Sequence, residues 1–251
     1  MGINSVNNEL VKKCTKLLQK KYRSESAKFL LEGYKAIKEA HDFSIKLEYV
    51  FVDKSHLDEF KFIEEKLIET TPAVLKKLSS TDSAPVAVAT AFQKQTDCAE
   101  FKDFKKVILL ENIKDMGNLG TIIRSAVAFK ADGIVLYGGN CADIYNPKCV
   151  RSAVGNLWKI PIVYIDNFEQ LKKLFDGFNR IATLPLSKNL LHNFKAQTPE
   201  LVMFGSEADG LSDELINYST DTVKIEMNEN VESLNLSVSA SVVMYELFAQ
   251  A

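Results

Sequence analysis

The stretch VILLENIKDMGNLGTIIRSAVAF, residues 107–129, sets the reading of this chain. Its opening, VILLEN (107–112), is a short run with apolar residues on both faces, as a strand inside a parallel sheet requires. Gly117 and Gly120 then punctuate a turn, and NLGTIIRSAVAF (118–129) has the apolar spacing of an amphipathic helix. Asn118 stands where that helix is expected to start, a position an Asn side chain can cap. Arg124 lies on the helix among Ile122, Ile123, Ala126, Val127 and Phe129. It is either a solvated side chain or one aimed at a partner.

Downstream, the same alternation continues. GIVLYG (133–138), IPIVYID (160–166), RIATLPL (180–186), LVMFG (201–205) and TVKIEM (222–227) read as strands. Residues 147–157, 168–176, 211–217 and 235–249 read as helices. Strands alternating with helices predict an α/β fold with a mostly parallel sheet. Two of these connections carry polar residues that the simple pattern does not need. In LVMFGSEADGLSDELI (201–216) an apolar strand runs into Gly-Ser-Glu, so Gly205 would let a ligand approach the backbone. Glu207 then sits at the carboxyl edge of the sheet, where such folds present ligand-binding groups. In VKIEMNENVESLNLSVSASVVMYELF (223–248), Ser233 and Asn235 open a helix rich in small residues; simple capping is the other reading of both.

Upstream, residues 7–22 predict a helix whose Lys12, Lys16 and Lys20 form a stripe, either a solvated face or one that contacts phosphates. Residues 28–40 predict a second helix, 47–53 a strand, 55–69 and 72–78 helices, and 85–92 a strand. This is a small α/β domain of its own. QKQTDCAEFKDF (93–104) lacks a strong period and contains the expected linker. The organisation is therefore residues 1–95 as an N-terminal helix plus α/β domain, 96–104 as linker, and 105–251 as the larger domain.

The composition, 46% hydrophobic and 25% charged over 251 residues, is that of a globular chain able to bury a core. Net charge is -2, but residues 1–38 hold nine Lys or Arg against three Glu, so a basic face exists for polyanions. Cys14, Cys98, Cys141 and Cys149 form no CxxC pair, and His41, His56 and His192 are scattered. Neither a zinc site nor a disulfide framework is expected, and the cysteine usage fits a cytoplasmic protein. No apolar run approaches membrane-spanning length.

Taken in order, Asn-x-Gly…Arg, Gly-Ser-Glu-x-x-Gly-Leu-Ser and Ser-Leu-Asn-x-Ser resemble the three signature motifs of the SpoU/TrmH family of RNA 2'-O-ribose methyltransferases, over about residues 105–249. The stretch KKYRSESAKFLLEGYKAIKEA (20–40) is similar to the opening of the RNA substrate-binding domain that precedes the catalytic domain in many members. The resemblance implies a SPOUT fold with a C-terminal trefoil knot, S-adenosylmethionine as cofactor without a metal, and a homodimer whose partner completes the active site. It implies catalytic or RNA-contacting roles for Asn118, Arg124, Glu207, Ser233 and Asn235. It implies a cofactor site at Gly205, Ile225 and Leu234, with Thr183 and Leu184 lining the same pocket.

The chemistry suits these residues. A sulfonium already activates the methyl group, so the enzyme's task is to position a ribose hydroxyl and help remove its proton. Arg124 is expected to stabilise developing oxyanion charge rather than act as a base. Glu207 is expected to hold Arg124 or Asn118. Ala208 and Glu226 stand where the family usually has Gly and Pro. The expected substrate is ribosomal RNA; transfer RNA, or a non-catalytic ribosome-associated RNA-binding role, are the alternatives. A Rossmann-type enzyme is disfavoured because GxGxxG is absent.

Overall fold

The computed structural model describes residues 2–249. Along the chain these form α1 (Glu9–Thr15), α2 (Lys20–Ser26), β1 (Lys28–Glu32), α3 (Tyr34–Asp42), β2 (Leu47–Asp53), β3 (Leu67–Thr70), α4 (Pro72–Leu78) and β4 (Ala87–Phe92). There follow β5 (Lys106–Glu111), α5 (Met116–Ala128), β6 (Gly133–Tyr137), α6 (Pro147–Ala153), β7 (Ile162–Ile165), α7 (Phe168–Leu174) and β8 (Asn179–Thr183). The last elements are β9 (Glu200–Phe204), α8 (Asp213–Tyr218), β10 (Asp221–Val223) and α9 (Leu236–Met244), which runs into a π-turn at Tyr245–Ala249. The chain divides into two compact units, Met1–Gln95 with Asp143–Trp158, and Thr96–Ala142 with Lys159–Ala251.

The first unit holds a four-stranded sheet in the order β1-β4-β2-β3. β4 is antiparallel to both neighbours, and β3 lies parallel to β2. Three local expectations change here. The helix expected over 7–22 breaks at Gln19, which is extended. The Leu17 carbonyl that could continue it is instead taken by Arg23 Nη1 at 2.8 Å. Residues 28–32 are a strand rather than the start of a helix. Phe29, Leu30 and Leu31 are all buried, and only a strand between covered faces hides three consecutive apolar side chains this way. Gly33, at φ 87°, turns the chain into α3. Residues 54–66 form 3-10 turns instead of an α-helix, and 67–70 pair with β2.

Residues 143–158, expected in the larger domain, belong to the first unit. Buried Arg23 reaches Asp143 Oδ2 through Nε at 2.9 Å and Nη2 at 2.7 Å. Tyr145 Oη accepts from the Lys94 N–H and donates to its carbonyl, both at 2.9 Å, and its ring packs on Phe29.

The second unit is a six-stranded, wholly parallel sheet in the order β10-β8-β9-β5-β6-β7. Its core gathers Val107, Leu109, Val135, Val163, Ala182, Leu201 and Met203 from adjacent strands, closed by Leu171 and Phe175. The segment expected as a linker (96–104) contains instead a 3-10 helix, Cys98–Asp103, with an Asp97/Glu100 capping box. Phe101 anchors it, fully buried against Phe104 and Phe175. The strand expected over 222–227 ends at Val223; beyond it only Lys224 still pairs, with Leu190, and the chain leaves the sheet.

Candidate active site

The site is built at the carboxyl ends of β5, β8, β9 and β10. Asp115, not Asn118, caps α5, accepting the Asn118 N–H at 2.8 Å. Asn118 therefore sits in the first turn with its amide free for other work. Its Nδ2 donates to Glu207 Oε1 at 3.0 Å, and its Oδ1 accepts from Asn235 Nδ2 at 3.0 Å. Asn235 is the N-cap of α9, and its Oδ1 accepts from the Ser237 N–H at 2.9 Å and the Ser237 hydroxyl at 2.6 Å. One continuous chain of hydrogen bonds thus joins Glu207, Asn118 and Asn235, residues up to 117 positions apart. Glu207 holds Asn118, one of the two partners expected for it.

The Gly205–Leu211 turn is closed by its own backbone. Ser206 and Gly210 exchange N–H···O bonds of 3.1 Å in both directions. A Cβ at Gly205 would lie 1.9 Å from the Gly210 carbonyl carbon and 2.1 Å from the Leu211 nitrogen. The absent side chain is therefore required by this chain's own loop, whatever approaches the backbone from the other side. Ala208 keeps a negative φ, so its methyl group strains nothing. Glu226, the other departure, is exposed, with Oε2 3.9 Å from His192 Nδ1.

Two residues unnoticed in the sequence hold this turn in place. Glu111 Oε2, at the end of β5, accepts the Ser212 N–H at 2.8 Å. Tyr137, at the end of β6, donates its hydroxyl to Glu214 Oε1 at 2.7 Å. Burial, then the bond to Glu214, push this phenol well above its ordinary pKa, so it remains a donor. A buried acid ending an apolar strand was the available signal for Glu111.

Around these turns lie two cavities. The larger-walled one, about 500 Å³, is lined by all five residues expected at a cofactor site: Thr183, Leu184, Gly205, Ile225 and Leu234. Glu207, Ser233 and Asn235 border it as well, and Met227, Pro185 and Val223 add apolar wall. The Thr183 hydroxyl is spent on the Met203 carbonyl at 2.9 Å, which ties β8 to β9 at the cavity mouth. Among the described residues, no hydrogen bond takes up the backbone N–H groups of Ile225, Met227 or Leu234. The second cavity, about 560 Å³ and more open, is lined by Lys114, Asp115, Asn118, Ser206, Glu207, Ala208 and Asn235. Ser206, Glu207 and Asn235 line both, and Asn118, which bonds to the last two, lines the second. Lys114 and Asp115 were missed; an acid three residues before Asn118 was the capping signal for Asp115.

Arg124 lines neither cavity. It is exposed on α5 and has no ion-pair partner among the described residues. The next residue, Ser125, joins α5 to α9 by a 2.7 Å bond with Ser241. Among the described residues there is no cluster of three metal-ligating side chains.

Comparison with known proteins fits this geometry. The chain is similar over 98% of its length to an uncharacterized tRNA/rRNA methyltransferase of Synechocystis, with 30% identity over 92% of that protein. It is 26% identical to the 23S rRNA guanosine 2'-O-methyltransferase RlmP of Bacillus subtilis, covering 98% of each chain. The solved structure of an AdoMet-bound rRNA methyltransferase from Sinorhizobium meliloti superposes with a TM-score of 0.87 at 25% identity, covering 98% of this chain and 96% of that one. Residues 8–89 match an MRM3-like substrate-binding domain. Residues 105–245, which carry both cavities and the Glu207–Asn118–Asn235 chain, match the SpoU rRNA methylase family, and the protein belongs to that family.

Proposed function

We propose that this protein transfers a methyl group from S-adenosylmethionine to a ribose 2'-hydroxyl of ribosomal RNA. The observation that carries the reading is the shared border: Glu207 and Asn235 line both an apolar-walled cavity and an open polar cleft, and Asn118 in the cleft is bonded to each of them. One side suits a small cofactor and the other a sugar.

The first cavity fits the cofactor. Its volume lies within the usual range for small-molecule sites, ~300–1,000 Å³. Leu184, Ile225, Met227 and Leu234 supply apolar surface, and the uncommitted N–H groups of Ile225, Met227 and Leu234 supply donors where backbone polar groups would otherwise go unpaired. When bound, S-adenosylmethionine supplies a methyl group already activated by its sulfonium. No metal is part of this reading.

The residues in the wall perform the positioning. Asn118 is locked on both ends of its amide, so its orientation is fixed before substrate arrives. Glu207 and Asn235 keep it there, and Ser233 adds a hydroxyl at the same rim. Arg124 stabilises negative charge on the attacking oxygen rather than acting as a base.

Arg124's distance from both cavities supports a second copy of the chain as the completing element. The apolar stripe Val238, Val242 and Tyr245, 40–54% exposed on α9 and its continuation, supports a homodimer through the same face. The segment from β10 to α9 is read as threaded into a trefoil knot, supported by Lys224 bonding to Asn189 and Leu191 while its neighbours wrap the cavity. The organisation is read as a substrate-binding domain followed by a catalytic domain. A cytoplasmic location is supported by four free cysteines.

Labelled-methyl transfer onto unmodified ribosomal RNA, followed by mapping, tests the proposal. Expected is one ribose carrying label; incorporation only into transfer RNA, or none with cofactor bound, overturns it.

A further inference from the structure

A third cavity lies within the first unit. It is about 190 Å³ and sits between the N-terminal helices and strands β2 and β4. That is below the ~300 Å³ at which ordinary ligand sites begin, so it admits one planar ring and little more. Its floor is apolar, formed by Leu17 and Cys14, both buried. Burial pushes the Cys14 thiol up to about 12, so the floor carries no thiolate. Two aromatic rings, Tyr22 and Tyr49, line it.

The cavity is built by an irregularity in β2. The register against β4 slips between Leu47 and Tyr49, leaving Glu48 as the extra residue. Beside it the Tyr49 N–H donates to the hydroxyl of buried Thr90 at 3.2 Å. Bulges of this kind re-aim side chains, commonly beside sites.

The rim is cationic where it is free. Lys28 is neutralised by Glu48 at 2.6 Å, and Glu25 faces Lys21 at 4.0 Å. Lys13 and Lys16 close no salt bridge among the described residues, although Lys16 lies near enough to Glu9 to act on its charge, and Lys16 sits 5.4 Å from the Tyr22 ring centre. Just beyond, Lys28 and Lys46 each sit 4.7 Å from the Phe92 ring centre. Ammonium groups interleaved with aromatic faces match a chain of phosphates with splayed bases.

We propose that this cavity accepts a single unstacked nucleobase of the RNA substrate, between Tyr22 and Tyr49, with Lys13 and Lys16 on the flanking phosphates. The inference rests on the RNA reading given above. It separates two contributions: the rings hold a base, and the lysines hold charge.

The test uses the full-length protein, a fluorescein-labelled RNA decamer of mixed sequence, and a decamer with the same sugar-phosphate backbone but no bases. Titration by fluorescence anisotropy at fixed salt should show the wild type preferring the base-bearing decamer at least about fivefold, a base–aromatic stacking effect. Tyr22→Ala and Tyr49→Ala should each erase most of that preference while keeping affinity for the abasic decamer, and Tyr22→Phe should restore it. Lys13→Gln, at an exposed position, should weaken both decamers alike and flatten the salt dependence. A wild type that does not discriminate, or tyrosine variants that still do, would overturn the base pocket. Methyl transfer onto ribosomal RNA, measured on the same preparations, reports separately on the activity: transfer without discrimination fails the pocket alone, and no transfer fails the function.

Discussion

Replacing Gly205 by alanine is the sharpest perturbation of the cavity wall. The new Cβ would stand 1.9 Å from the Gly210 carbonyl carbon, where ordinary contact begins at 3.4 Å. Something must therefore move by about 1.5 Å, and every atom in the way is backbone. The loop cannot yield cheaply, because Ser206 and Gly210 bond each other in both directions and Glu111 pins Ser212. Overpacking of this kind costs about 1–3 kcal/mol. For a chain of this size, that lowers Tm by roughly 4–8 °C at the middle of the range. Gly205, Ser206, Glu207, Gly210 and Leu211 all line the first cavity, so the same shift deforms its wall. Calorimetric titration with S-adenosylhomocysteine should then show affinity reduced at least about tenfold. Gly210→Ala is the control: its φ of +70° strains a side chain, but nothing crowds it within 4 Å. It should lower Tm by less and leave affinity nearer to wild type. If Gly205→Ala melts with the wild type and binds equally well, the argument from backbone crowding is wrong.

Three further outcomes are expected. Asn118→Ala breaks both bonds of the triplet and leaves the Glu207 carboxylate and the Asn235 amide unpaired; kcat should fall at least tenfold while cofactor affinity changes little, and an unchanged kcat would remove Asn118 from the mechanism. Arg124→Ala should abolish transfer and spare cofactor binding, so wild-type methylation by that variant refutes its role. Glu200, buried at the start of β9 with Oε2 unpartnered, has its pKa raised to about 7 by burial, against the smaller opposing effect of Lys106. The folded state therefore holds this proton more tightly, so stability is undiminished below about pH 4.5 and falls as pH rises through 7, by about 3 kcal/mol in all. Glu200→Gln removes that loss, so denaturant melts should show the variant gaining on wild type between pH 5 and pH 8; a constant difference would mean Glu200 ionises freely.

The sequence carried much of this architecture because strands buried on both faces need uninterrupted apolar runs. VILLE, GIVLY and ELVMF declare a parallel sheet without reference to anything distant. The three polar segments were legible for the opposite reason: Asn118, Glu207 and Asn235 occupy turns where a plain connection would not need them. The same local logic failed at KFLLE, which has helical spacing but is drawn into a strand by pairing with β4. It failed again at Phe101, whose burial against Phe175 turns an expected linker into a helix.

What the sequence determined alone was which segments end in polar turns and in what order, since periodicity and capping act over a few residues. What only the tertiary structure decided was that those turns meet. A hydrogen bond from Asn235 to Asn118 spans 117 positions, and no local propensity encodes that distance. Likewise, only the fold brings the Gly210 backbone against the position that a Gly205 side chain would occupy. Arg124 reads as part of the same site in sequence, yet it stands outside both cavities, because the helix phase that buries Ile122 and Ile123 turns Arg124 to the exposed face of α5.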